Sequence, residues 1–259
     1  ALRRFASDGN NPIVMAGFSW AAQLEKVAAE YPDTKFAIID MVVDKPNVRS
    51  VVFKEEEGGW LAGILAGMAS KTKTVSFVGG MDIPLIHKFA CGYIGGAKSL
   101  GPDYKVLEAY TGTTPDAWND PVKGGEIAKS QFDQGSDVVY HAAGGTGVGV
   151  LQAAADAGKL GIGVDSNQNG LQPGHVLTSM VKRVDVAVYN GLMDAKDGKF
   201  TAGSLHLGLK EGGVDYAMDD NNKNLVTADM KAAADKAKQD IIDGKIEVHD
   251  FTTDGKCPY

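Results

Sequence analysis

The stretch VSFVGGMDIPLIHKFACGYIGGAK, Val75 to Lys98, decides how the rest of the chain is read. It opens as an apolar run rich in β-formers, meets Gly79-Gly80, and after Pro84 resumes with apolar residues at helical spacing. Aromatic and β-branched residues favour a pleated strand, glycine supplies turn conformations, and proline suits the first turn of a helix. The stretch therefore predicts a strand, a tight turn at Gly79-Gly80 and a helix, the local plan of many phosphate, sugar and nucleotide sites.

The same alternation extends outward in both directions. Short apolar runs fall at Ile13–Ala16, Phe36–Asp40, Val51–Phe53, Val106–Tyr110, Val138–His141, Gly161–Val164, Val176–Thr178 and Ser204–Gly208. Helical patterns lie between them at Trp20–Tyr31, Glu56–Ser70, Val122–Gln134, Gly147–Ala157, Val184–Lys196 and Ala228–Asp243. In the last of these, Met230, Ala234, Ala237 and Ile241 form a one-faced stripe. Strand-helix alternation predicts an α/β fold with parallel sheets, and runs such as FAII suit sheets covered on both faces. Lys71-Thr72-Lys73 separates one βα block from another, which points to two lobes. The opening ALRRFASDGNNPIVMAGF reads as the end of a helix followed by a strand, so an upstream strand-helix-strand portion is expected before Ala1.

Composition narrows the partners. The net charge is −7 and no basic run exceeds two residues, a poor match for nucleic acid or an anionic membrane. A small neutral ligand fits better. The small-and-apolar run Gly58–Ala69 has 12 residues, short of the roughly 20 a membrane-spanning helix needs, and reads as a tightly packed internal helix. Cys91 and Cys257 have no partners at zinc-site spacing. They are either two separate buried thiols or, in a protein outside the cytosol, a disulfide tying down the tail.

Several motifs carry part of a chemical signature. GFSWA at Gly17–Ala21 approaches a nucleophile elbow, but no acid and histidine follow in a triad-like setting, and Ser19 reads better as a helix N-cap. DSNQNG at Asp165–Gly170 starts like a calcium loop, yet its twelfth position is Val176 instead of glutamate. Its aspartate is better placed as a carboxylate at a strand's C-terminal end. In AAGGTGVGV the third glycine of a dinucleotide fingerprint would fall at Val150. What remains is a glycine turn that brings backbone N–H groups close to a ligand, or a plain tight turn. No metal pair, cofactor motif or acid-base pair assembles, so enzyme chemistry has no support. Trp118, in the polar loop TGTTPDAWNDP, is either a surface lid or a stacking platform for a flat ligand.

GFSWAAQLEKVAAEYPDTKFAIID, VGGMDIPLI, AAGGTGVGVLQAA, IGVDSNQN and TSMVKRVDVAVYNGL, in that order, resemble the basic-membrane-protein family. The resemblance covers essentially the whole chain. It implies a type I periplasmic-binding-protein fold: two Rossmann-like lobes joined by three crossing segments, with a ligand cleft between them. The lobes are expected at 1–72 plus 176–203 and at 73–175 plus 204–259, the first lacking its N-terminal portion. Members of the family bind purine nucleosides for ABC importers. The implied protein is therefore a non-enzymatic, monomeric receptor in the periplasm or otherwise outside the cytoplasm, with or without a lipid anchor, which delivers a purine nucleoside or base to a membrane permease.

The resemblance also implies a site. Trp118 matches an aromatic stacking position where phenylalanine is frequent. Asp40 and Asp165 match acidic contacts, Lys182 the site lysine, Gly144 a backbone contact, and Gly17 the lining of the first lobe. The family's early D-x-S-F-N-like motif would lie upstream of Ala1. Two rivals stand beside this reading: a ligand-sensing regulator with a DNA-binding module upstream, and a hydrolase using Ser19.

Overall fold

The computed structural model describes all 259 residues. In chain order they form α1 (Leu2–Ser7), β1 (Ile13–Ala16), α2 (Ala21–Glu30), β2 (Phe36–Ile39), β3 (Val48–Phe53), α3 (Glu55–Ala69), β4 (Thr74–Met81), α4 (Pro84–Lys98), β5 (Lys105–Gly112), α5 (Pro121–Asp133), β6 (Val138–Ala142), α6 (Thr146–Asp156), β7 (Leu160–Asp165), β8 (Val176–Lys182), α7 (Val184–Lys196), β9 (Gly203–Leu207), β10 (Val214–Tyr216) and α8 (Ala228–Ile242). Short 3-10 turns occupy Phe18–Trp20, Pro115–Trp118 and Phe251–Thr253. No helix is long and apolar enough to cross a membrane.

The chain divides into two compact units, 1–53 with 183–213 and 54–182 with 214–259. These bounds replace the expected ones. The small-residue helix α3 belongs to the second unit because it packs against α4 at backbone distance. A Cβ on Gly63 would lie 2.2 Å from the Tyr93 carbonyl oxygen, and one on Gly96 2.0 Å from that of Trp60. β8 also stays in the second unit, paired with β7 and β10, whereas β9 joins the first by pairing with β3.

In the first unit a parallel sheet runs β1-β2-β3-β9. All four residues of β2 are buried, as expected of a strand covered on both faces. Ser19 is exposed inside the 3-10 turn, and the residue capping α2 is Trp20, so the N-cap reading of Ser19 does not hold.

In the second unit the order is β10-β8-β7-β6-β4-β5, all parallel except β10. Phe77, Tyr93 and Tyr140 are fully buried and meet ring to ring, with centroids 5.4 Å apart for Phe77–Tyr140 and 5.2 Å for Tyr93–Tyr140. The tail is fastened to α4 and α3 at three points. Phe251 stacks on His87 at 4.5 Å, Cys257 is disulfide-bonded to Cys91, and Tyr259 meets the Trp60 ring at 5.5 Å.

Gly79-Gly80 is not the turn expected there. β4 continues through both glycines to Met81, and the chain leaves the sheet only at Asp82. Neither glycine has a left-handed backbone. Each admits a ring instead: a Cβ on Gly79 would lie 2.4 Å from Tyr110 Cδ1, and one on Gly80 2.1 Å from Trp118 Cζ3.

Candidate functional site

Strand order marks a candidate site in the second unit. The chain steps from β4 to its neighbour β5, then returns to the other side of β4 for β6, β7 and β8. The winding therefore reverses between β4 and β6. In open α/β sheets a crevice opens there, outside the carboxyl ends of the strands.

Trp118 lies across this point. It closes the 3-10 turn that follows β5, and its indole packs on Gly80 at the end of β4. A Cβ on Gly144, just after β6, would sit 3.7 Å from both Cβ and Cε3 of the same tryptophan. Gly144 holds φ at +55°, the left-handed region that glycine enters most readily. The chain can thus turn from β6 into α6 beneath the indole.

Two buried threonines fasten the loop. The Thr146 hydroxyl donates to the Ala117 carbonyl at 2.8 Å and accepts from the Asp120 amide at 2.7 Å. The Thr111 hydroxyl lies 2.9 Å from the Ala117 carbonyl and 3.1 Å from that of Gly80, and shares its one proton between them. Asp120 then caps α5 by accepting from the Lys123 amide at 3.0 Å.

The two aspartates share an unusual backbone. Asp165 ends β7 at φ +66° and Asp40 follows β2 at φ +71°; Lys73 is the only other non-glycine residue with positive φ. Such a conformation costs a side-chain-bearing residue of order 1 kcal/mol and collects at functional sites. Asp40 belongs to the first unit, where its amide donates to Val51 O at 2.9 Å. Gly17, at φ +104°, lies at the neighbouring strand end and donates to Ile39 O at 3.1 Å.

DSNQNG fastens the chain beyond Asp165. Asn167 and Asn169 donate to Asp219 at 2.6 and 3.3 Å, and the Gln168 amide donates to the Ser179 hydroxyl at 2.9 Å. Gln168 Oε1 accepts from the Val164 amide at 2.9 Å and lies 3.0 Å from His141 Nε2, so that nitrogen carries the imidazole proton. Burial lowers the His141 pKa to about 4, against the opposing pull of Gln168. His141 is fully buried.

Lys182 ends β8 in register opposite Val214, beside the β7–β8 pair that joins Asp165 to Val181. Its ammonium turns inward to Glu55, 3.0 Å away. The other Glu55 oxygen is 2.9 Å from Lys88, which also faces Glu56 at 3.4 Å and Asp250 at 3.8 Å. Burial pushes Glu56 up to about 7, against the pull of Lys88. The Lys88 pKa rises despite burial, because Glu55 and Glu56 hold its charge.

The second unit thus brings Trp118 and Gly144 together and sets Asp165 and Lys182 on adjacent strands, while Asp40 and Gly17 stand side by side in the first. Sequence reading missed Glu55, Lys88, Gly80, Thr111 and Thr146. Only Gly80 left a trace: a glycine inside a strand marks a close approach.

Known proteins place this fold in a class. A solved solute-binding protein of an ABC transporter system from Aeropyrum pernix K1 superposes with a TM-score of 0.85 at 30% identity, over 95% of this chain and 79% of that one. The fold is that of the type I periplasmic solute-binding proteins. The model of the PnrA-like ABC transporter substrate-binding proteins matches residues 1–251, and the chain belongs to that family. An ABC transporter nucleoside-binding protein, BmpA, of Lactococcus lactis is 39% identical over 90% of this chain and 69% of its own length. A lipoprotein of Pyrococcus horikoshii is 39% identical over 91% of this chain and 60% of its own length.

Proposed function

We propose that this substrate-binding protein takes a purine nucleoside or free purine base outside the cytoplasm and delivers it to a membrane permease. The observation that carries the reading is the indole of Trp118 packed on Gly80 at the winding reversal. A flat heteroaromatic ligand stacks on this partly exposed indole, a contact worth roughly 1–3 kcal/mol per base. Asp165, at the carboxyl end of β7 in the same unit, accepts from sugar hydroxyls or ring N–H groups. The Lactococcus relative, described as nucleoside-binding, supports this choice of ligand. The lipoprotein names among the relatives support the location.

Thermal unfolding of the chain with adenosine, guanosine, inosine, the free bases, uridine and ribose tests the reading. A nucleoside at a hundred times its dissociation constant adds about 2.7 kcal/mol of stability. Purines are expected to stabilise, and Trp118→Ala to remove most of that gain. Stabilisation by ribose alone, or equal stabilisation by purines in the variant, rules out the stacking site.

A further inference from the structure

Gly80 is an odd residue for its place. It lies buried inside a strand, where glycine weakens pairing, and its backbone does not need glycine's freedom. What needs the missing side chain is Trp118: a Cβ at residue 80 would stand 2.1 Å from Cζ3 and 2.3 Å from Cε3 of the indole. Those are rigid ring atoms, so any side chain there must tilt or expel the ring. The ring cannot yield by moving its loop freely, because Ala117, the residue before it, is fastened through its carbonyl by the hydroxyls of Thr111 and Thr146. Both hydroxyl-bearing side chains are buried, at 2% and 0% exposure.

We propose that Gly80, Thr111 and Thr146 form a seat that fixes the plane of Trp118 and so makes the site selective for two-ring over one-ring bases. This rests on the purine reading above. An indole held flat offers a bicyclic face, and a purine covers more of it than a pyrimidine does. A tilted indole presents its edge, and the advantage of the larger base is lost. The three seat residues are positioning residues: they act on the ligand through Trp118.

The test is a double-mutant cycle read by titration calorimetry with inosine, adenosine and uridine, together with near-ultraviolet circular dichroism. The Trp118 band is taken as the difference from Trp118→Phe. Gly80→Ala is expected to weaken purine nucleoside binding at least tenfold and uridine binding less than threefold, and to alter the Trp118 band. In a Trp118→Ala background the same substitution is expected to change purine affinity less than twofold. An equal loss in both backgrounds, or an unchanged purine-to-uridine ratio, overturns the proposal. Thr111→Val loosens the loop without adding bulk. If Gly80→Ala does not fold, Thr111→Val carries the cycle, with a loss of the same sign that disappears without Trp118; a loss that persists there overturns the seat. Wild-type protein that binds no nucleoside overturns the purine reading and the selectivity with it. An altered Trp118 band in Gly80→Ala would still support the seat itself, and an unaltered one would overturn that too.

Discussion

Glu55 and Lys182 face each other at 3.0 Å with side chains only 0% and 4% exposed, and Lys88 closes on the same carboxylate from its other oxygen at 2.9 Å. One buried carboxylate therefore answers two buried ammonium groups, one on the sheet and one on α4. Glu55 is the first residue of α3, where a negative side chain also meets the positive end of the helix dipole.

Removing that carboxylate leaves two cations without their main partner. Breaking a buried pair from one side typically costs about 3–5 kcal/mol. Glu55→Gln is expected to lose that much in urea unfolding, and Asp235→Asn, which breaks the surface pair with Lys231, less than about 1 kcal/mol. A Glu55→Gln loss as small as the surface one would show that water reaches the cluster.

Much of this fold was legible from periodicity, and the exceptions share a cause. β1 and α7 fall at the residues expected, because their apolar patterns and flanking turns agree. Gly79-Gly80 looked like a turn because glycine in sequence carries two meanings, a backbone freedom and a missing side chain. Only the rings of Tyr110 and Trp118 show that the second applies. The boundary at residue 72 failed because Gly63 and Gly96 bind α3 to a helix that follows it. Strand β10 has 3 residues, too few for a period to appear. Among the candidate site residues, the aspartates at strand ends could be read, but their positive φ could not. The inward turn of Lys182 depends on Glu55, which lies 127 positions away in sequence by its number (182 − 55).

Glycines in helices offer a paired comparison. A methyl on Gly63 collides with the Tyr93 carbonyl at 2.2 Å, so Gly63→Ala must separate α3 from α4. Overpacking of this kind costs typically about 1–3 kcal/mol. Gly191, within α7, has nothing within 4 Å of the methyl it would gain. There alanine only improves helix propensity, by about 1 kcal/mol. Urea midpoints should therefore move in opposite directions. A fall in both would mean that the α7 face is more crowded than its geometry shows.

The bond between Cys91 and Cys257 closes a separation of 166 residues. In the chain-entropy picture a loop of that length contributes up to about 5 kcal/mol by restricting the unfolded chain. Cys257→Ser is expected to lower the melting temperature, while Tyr259→Ala, which removes the contact with Trp60 and the hydrogen bond from the His249 amide, lowers it less. Dithiothreitol should destabilise the wild type and leave Cys257→Ser unchanged. A drop in the variant under the reductant would point to a cause other than this bond.

Two buried groups give stability opposite dependences on pH. The Glu56 carboxyl is raised from 4.5 to about 7, so between those values the folded chain holds a proton that the unfolded chain has lost. Its contribution to stability is present below pH 4.5 and falls as pH rises to about 7. His141 is lowered from 6.5 to about 4, so in that window the unfolded chain binds the extra proton. Its contribution is present above pH 6.5 and is lost as pH falls toward about 4. Each effect is of order 3 kcal/mol, and the two windows overlap, so they largely cancel in the wild type. Glu56→Gln should unmask the histidine, with stability rising from pH 4.5 to 6.5 more steeply than in the wild type. His141→Asn should do the reverse and fall across the same range. Urea unfolding at half-unit pH intervals measures both slopes relative to the wild type. Equal slopes in all three proteins would mean that neither group keeps its shifted affinity for the proton in solution.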